Sequence, residues 1–430
     1  MTAVKVEGME ANKTIESMPL PTVNLERLKK DILDLGMIGR NTDDRGIYRM
    51  AFSDADMEGK RWLKTRMEEA GLTVRQDGAA NLFGRLEGHE PDAPVLLVGS
   101  HIDTVPCAGS LDGTLGVLTG LEALRVMAAS GDKPRCPIEL VAFSDEEGRF
   151  GGMFGSQAFC GRITPETLHA RNDIDGVTLE EAMRRQGLNP MDALDAACDP
   201  ASLRGYLEVH IEQGPVLDRL GKDLGIVESI TGLFKWNVTL TGTPNHAGTT
   251  PMEMRNDAFM GLADFAHEIP RILAEYGSEA SRATIGRAEL HPGAANTIPG
   301  KVNFSLDVRD TDADVLEALR DAIRRALSAI ARRRDLMFEF DAISSIAPVT
   351  CDPGLVTRLE SSAKALGYST LRMPSGAAHD AQIMAAITPT VMLFVPSKDG
   401  QSHSPAEWSD WHHIYGAAHT LLHALLHLSR

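Results

Sequence analysis

Residues 93–103, APVLLVGSHID, are followed by LGVLTGLEALRVMAAS at 115–130 and by CPIELVAFSDEE at 136–147. The first and third are apolar runs of strand length that end in polar clusters, and the second carries apolar residues at helical spacing. Strands alternating with helices in this way predict an α/β layer with a mixed, largely parallel sheet flanked by helices. Reactive groups in such sheets gather at the carboxyl ends of strands. That is where His101, Asp103 and the Asp145–Glu147 run stand.

Working outward, VNLERLKKDILDLG (23–36) and DADMEGKRWLKTRMEEA (54–70) read as helices. Ser53 and Asp56 give the second a capping-box pattern, and Gly71 supplies its stop. NLFGRLEG (81–88) is a further strand. From 234 the order changes: strand FKWNVTLTG, helix 255–277, strand ATIGRAELHPG, strand KVNFSLDVRD, helix 314–335, strand LMFEFDAIS. That βαββαβ order predicts a small open-faced sandwich. It is inserted, because helix 355–367, strand TPTVMLFVPS (388–397) and a last helix from Trp411 return to the α/β style. The expected division is an N-terminal extension at 1–22, a catalytic domain from 23–229 and 346–430, and an inserted lid and dimerisation domain at 230–345.

A chain of 430 residues is too long for one ordinary core. Its five scattered cysteines form no CxxC pair, which argues against a disulfide framework or a thiolate zinc site and fits a reducing cytoplasm. The first residues lack a signal-peptide core, and no stretch is apolar for the roughly 20 residues of a membrane span. A net charge of −17 disfavours nucleic acid and anionic membranes, which leaves small molecules or proteins as partners. The basic run Arg332–Arg334 reads as the cationic end of a solvated helix.

Five segments carry candidate chemistry. His101-x-Asp103 alone is most simply a loop histidine bonded to a nearby aspartate, and Asp112 alone is a good N-cap. Asp145, Glu146 and Glu147 repel one another at a strand end, so they need a cation or a solvated turn. YLEVHIEQG carries His210 on a strand, and QSHSPAEW carries His403 in a loop. Imidazoles and carboxylates together suit hard and borderline divalent cations, and two neighbouring metals need a shared carboxylate. No local spacing rule pairs these ligands.

The ordered motifs GSHIDTVP, LDGTLGV, DEEGRFG, EVHIEQGP, NHAGTTPM, ANTIPGKVNFSLDVR, PSGAAHDA and SHSPAEW span nearly the whole chain. In these the sequence resembles the M20 metallopeptidase-like amidohydrolases, in the branch of N-carbamoyl-L-amino-acid hydrolases, β-ureidopropionases and allantoate amidohydrolases. The resemblance implies two divalent metal ions per subunit: His101, Asp112 and His210 on one, Asp112, Glu147 and His403 on the other, with Asp112 bridging. It implies Glu146 as general acid/base and Asp103 as the group orienting His101. His210 stands where the peptidase branches usually carry an acid, which favours the ureido-hydrolysing branch. Arg309 is expected to hold a substrate carboxylate, Gln213 and Asn296 to read the amide or ureido group, and His246 to stabilise the oxyanion across a homodimer. Ser375, Gly376 and His379 of PSGAAHDA complete the expected substrate site. Bland roles stand beside these: a surface ion pair for Arg309, turn or loop ties for Asn296, His246 and Gln213.

The activity so implied is hydrolysis of the ureido or amide C–N bond of an N-carbamoyl-L-amino acid or close analogue, releasing amino acid, ammonia and carbon dioxide. Allantoate or N-carbamoyl-β-alanine hydrolysis, an N-acyl-amino-acid amidase and a silent metal-binding scaffold are the alternatives. The ligand types accept zinc, manganese, cobalt or nickel.

Overall fold

The computed structural model describes residues 21–131 and 133–430, so most of the expected extension at 1–22 lies outside the described residues. The first helix, Leu25–Leu35, starts at Asn24, whose side chain accepts from Arg27 N. Helix Asp54–Glu69 starts at Ser53, whose side chain accepts from Asp56 N. Asp56 answers by accepting from Phe52 N at 2.8 Å rather than from the cap residue itself.

A nine-stranded sheet forms the larger body. Its central strands, Ile138–Phe143, Val95–His101, Leu203–Ile211 and Thr390–Val395, run parallel to one another in that order. Outside them the pairing turns antiparallel, through Leu82–Leu86 and Thr73–Gln76 on one side and Leu224–Ile230 on the other. The sheet is thus mixed, with four parallel strands at its centre. The parallel strands are buried along nearly all their length because helices cover them; Thr114–Ala129 packs on the strands and on the last helix, Trp411–Leu428. Thr370–Ser375 adds a parallel strand against Leu224–Ile230, with a register shift at Met373/Pro374. A smaller apolar cluster, including Phe52, Phe150, Phe154 and Leu168, packs the short helices between 154 and 185.

The second sheet has five strands, all antiparallel: Met337–Ile346, Gly232–Thr241 and Lys301–Asp310 side by side, with Arg282–Thr284 and Ala288–His291 both pairing with Lys301–Asp310. The segment read as one strand, ATIGRAELHPG, is therefore broken around Gly286. Along Lys301–Asp310 burial alternates strictly. Val302, Phe304, Leu306 and Val308 face the helices Ala258–Tyr276 and Ala313–Arg333 in a core of their own. Asn303, Ser305, Asp307 and Arg309 line the open face, as a two-residue period requires. Arg333 and Arg334, at the end of the long helix, pair with Asp264 of its neighbour. Among the described residues all five cysteines are free, and no helix is long and apolar enough to cross a membrane.

Candidate metal centre and substrate cleft

The two central strands that opened the sequence deliver His101 and the acidic run to one end of the sheet, next to His210 from a third strand. His101 Nδ1 lies 3.0 Å from the carbonyl of Asp103, and His210 Nδ1 lies 2.9 Å from the carbonyl of Ile211. Each carbonyl accepts only from a protonated Nδ1, which leaves Nε2 of each ring to act as an acceptor; that of His210 accepts from Gly113 N at 3.2 Å, and that of His101 has no hydrogen-bond partner. Both Nε2 atoms point at Asp112 Oδ1, at 3.6 Å from His101 and 3.1 Å from His210. The other oxygen of Asp112 lies 3.4 Å from His403 Nε2, which is also 3.4 Å from Glu147 Oε2.

Two groups result, His101–Asp112–His210 and Asp112–Glu147–His403, in each of which the donor atoms lie within 4.8 Å of one another. A tetrahedral ion with ligand bonds near 2.1 Å sets its ligands about 3.4 Å apart, so these separations are of the right size. Two further observations favour cations. His101 Nε2 and Glu147 Oε1 are buried without a hydrogen-bond partner. Burial also pushes Glu146 and Glu147 well above the usual carboxylate range, with Asp380 next in weight at Glu146 and Asp112 at Glu147. Buried acids and orphaned acceptors at this density cost free energy unless a positive ion neutralises them. The donor set therefore fits divalent ions.

The histidines differ electrostatically. Burial presses both toward the neutral form and prevails at His101, lowered to about 4; at His210 the Asp112 and Glu208 carboxylates outweigh it and raise the ring to about 9. Burial alone would raise Asp112, yet His210, His403 and His101 hold it well below its ordinary value. A bound cation would favour neutral imidazole at both rings.

Several residues take roles that differ from their simplest sequence reading. Asp112 is not a helix cap: the helix starts after Gly113, and no side chain caps it. Asp103 holds His101 through its backbone carbonyl, while its carboxylate, 3.8 Å from the ring, accepts from the backbone N–H groups of Glu146 at 3.4 Å and Glu147 at 3.2 Å. The acidic run divides its labour. Asp145, in the left-handed region with φ +55°, accepts from Phe150 N and closes the turn, which leaves Glu146 to stand 3.5 Å from His101 Nε2 and Glu147 to face His403.

Three supporting groups carried no role in the sequence reading. Gly113 lies so close to His101 that a Cβ there would fall 2.3 Å from its ring. Glu407 is buried and accepts from Leu111 N at 2.9 Å, Asp112 N at 3.1 Å and the Ser402 hydroxyl at 3.1 Å, which fixes the Asp112 loop to the His403 loop. Burial and Asp112 push it up to about 7. Its place in SHSPAEW, beside a candidate ligand, was the available signal. Arg49, fully buried, ties the same region from below by donating to the carbonyls of Ile102, Leu35 and Ile38 and to the Thr114 hydroxyl.

A cleft of about 670 Å³ opens between the two sheets, lined by Gln213, Ser402, His403, Gly376 and, from the second sheet, Arg282 and Arg309. Gln213 Nε2 donates to Asp112 Oδ2 at 2.7 Å. Arg309 makes a two-pronged pair with Asp307, at 2.8 and 3.1 Å, and donates to the Gly376 carbonyl at 2.7 Å. Ser375 and His379 are buried behind the cleft, bonded to each other at 2.9 Å, with the His379 ring 4.5 Å from that of His210. His246 and Asn296 are not brought here. They lie together on the second domain, where Ala247 N donates to the Asn296 carbonyl and the exposed His246 ring accepts from Gly248 N and Thr249 N.

Comparison with known proteins finds relatives along most of the chain. Residues 97–427 match the model of peptidase family M20/M25/M40. The chain is 41% identical over 408 residues to an N-carbamoyl-L-amino acid amidohydrolase of Geobacillus stearothermophilus, covering 94% of this chain and 98% of that one. It is 36% identical to an allantoate amidohydrolase of Bacillus subtilis, covering 85% and 89%. The crystal structure of a hydantoinase/carbamoylase-family amidase from Burkholderia multivorans superposes with a TM-score of 0.87 at 36% identity, covering 95% and 98%.

Proposed function

The chain belongs to peptidase family M20/M25/M40, and from that membership we propose that it is a metal-dependent amidohydrolase acting on the ureido C–N bond of N-carbamoyl-L-amino acids. The observation that carries the reading is the convergence of His101, His210, His403 and Glu147 on the two oxygens of Asp112, with Glu146 beside them. One carboxylate shared between two ligand groups is what a pair of ions requires. His101, Asp112 and His210 would hold one, and Asp112, Glu147 and His403 the other.

When bound, the ions supply Lewis acidity, which polarises the carbonyl and makes water acidic enough to ionise near neutral pH. Glu146 then does the proton work. Standing 3.5 Å from His101 Nε2 at the edge of the ligand groups, it is placed to take a proton from the attacking water and return it to the leaving nitrogen. One water consumed per carbamoyl group yields the amino acid, carbon dioxide and ammonia. Arg309 positions the substrate by pairing with its carboxylate, and Gln213, beside Asp112, reads the ureido group. His246 and Asn296 would act from a second copy of the chain, joined through the second domain, since their own cleft does not contain them.

The test compares wild type, Arg309→Ala and Arg309→Lys on a carbamoyl amino acid and on its carboxamide. Loss of one partner of a desolvated guanidinium–carboxylate pair costs about 2–5 kcal/mol, or roughly 30- to several-thousand-fold in kcat/KM. Arg309→Ala is expected to lose that much on the acid alone, with partial rescue by lysine, which lacks the planar fork. An equal loss on both substrates would overturn the assignment of the carboxylate to Arg309.

A further inference from the structure

The strand Arg282–Thr284 pairs with Lys301–Asp310 so that Arg282 stands directly opposite Arg309. Residues in such register project from the same face of a sheet with their Cβ atoms about 4.5–5.5 Å apart, and like charges there repel. Both guanidinium groups line the cleft that reaches His403. Both also line a second cavity of about 830 Å³ along the open face of the sheet, to which Lys235 and Arg287 add two more cations and Asp307 the single acid. A concentration of four cations about one carboxylate is notable in a chain of net charge −17.

The four are not equivalent. Arg309 and Lys235 share Asp307, at 2.8 and 3.5 Å, and Arg287 lies 3.8 Å from Glu289. Arg282 has no carboxylate within 4 Å among the described residues. Its hydrogen bonds run from Nη1 to two backbone carbonyls, Glu279 and Ser281, both at 2.8 Å. The carbonyls steer the side chain while leaving its charge uncompensated and its Nε and Nη2 donors free. An exposed guanidinium steered by two carbonyls, with no carboxylate partner and opposite a second arginine at the cleft, is placed to receive an anion.

We infer that Arg282 is a specificity-determining residue that binds a second anionic group on the substrate, so that the preferred substrates are ureido acids with an acidic side chain, such as N-carbamoyl-L-aspartate or N-carbamoyl-L-glutamate. This rests on the ureido-hydrolase reading above. Arg309 takes the α-carboxylate and Arg282 the side-chain carboxylate. The two carboxylates of such a skeleton are a few ångströms apart, as are the Cβ atoms of two residues paired as Arg282 and Arg309 are. Binding the dianion also relieves the repulsion between the arginines.

The metal-loaded enzyme, Arg282→Gln and Arg282→Glu are compared by kcat/KM on N-carbamoyl derivatives of L-aspartate, L-glutamate, L-methionine and L-lysine. The acidic-over-neutral ratio is expected to fall at least tenfold in Arg282→Gln, and Arg282→Glu is expected to gain on the lysine derivative, a change that misfolding cannot produce. An acidic-over-neutral ratio that is the same in all three proteins overturns the inference. Calorimetric titration with glutarate and with butyrate separates this inference from the reading beneath it. Tighter binding of glutarate, lost in Arg282→Gln, supports the anion subsite even if no carbamoyl compound is hydrolysed, an outcome that would sink the ureido-hydrolase reading alone. Equal affinity for glutarate and butyrate in wild type overturns the subsite even if carbamoyl compounds are turned over.

Discussion

Gly113→Ala is the substitution whose effect follows most directly from the geometry. The added methyl would lie 2.3 Å from Cε1 and Nε2 of His101 and 2.4 Å from Cδ2. Carbon atoms rest at about 3.5–4.0 Å, so the ring must withdraw by more than about 1 Å. Metal–ligand distances tolerate about 0.2 Å, so the displaced ring no longer serves as a ligand. Changing a group that merely orients a ligand costs about 10–100-fold in metal affinity. Displacing the ligand itself is expected to cost at least the upper figure, about 2.7 kcal/mol. The backbone adds a second cost, because φ of +59° strains an alanine by about 1–3 kcal/mol. The two effects separate with Gly367→Ala, where φ is +86° and nothing lies within 4 Å of the new methyl. Competition titration against a chromophoric chelator and thermal melting by circular dichroism should show both variants less stable and only Gly113→Ala weaker for metal. If Gly113→Ala bound metal as tightly as wild type, His101 would not be a ligand in the pose described.

Glu146→Gln should retain its metal content by mass spectrometry and lose about 10²–10⁴-fold in turnover, since the amide cannot take the proton of water, whereas Glu147→Gln should lose metal. Glu407→Ala leaves the N–H groups of Leu111 and Asp112 buried without an acceptor, at about 1–3 kcal/mol each, and calorimetry should record a Tm several degrees lower; Glu407→Gln, which keeps one acceptor oxygen, should lose less. On the proposal that His246 acts from a second copy, inactive Glu146→Gln and His246→Ala subunits, mixed under conditions of proven exchange, should recover activity, because one site of each mixed dimer would collect both intact groups.

The α/β layer was legible because its central strands are buried on both sides and read as continuous apolar runs, and the second sheet because Lys301–Asp310 alternates so strictly. What escaped has physical reasons. Thr370–Ser375 contains Pro374 and pairs on one side only, so its composition is that of an edge. ATIGRAELHPG breaks in the middle, although each half finds the same partner strand. At the site, the candidate ligands were legible through ordered motifs, but their supports were not. Glu407, Gly113 and Arg49 act through contacts across up to 296 positions of chain, and no local spacing encodes such contacts. The carbonyl of Asp103 is equally silent, because a backbone atom leaves no mark on residue type. Asp112 shows how little one residue says alone: its neighbourhood suggests a helix cap, while its burial and three imidazole neighbours fit the bridging role that the ordered motifs implied.

Ammonia release from N-carbamoyl-L-amino acids, followed as chelator-stripped protein is titrated with zinc or manganese, tests the central claim most directly. The account predicts no release from the stripped but folded protein, and restoration that saturates as the Asp112-centred ligand groups fill. Release at the full rate from protein shown to contain no metal would contradict it, as would a fully loaded protein that releases no ammonia from any carbamoyl amino acid.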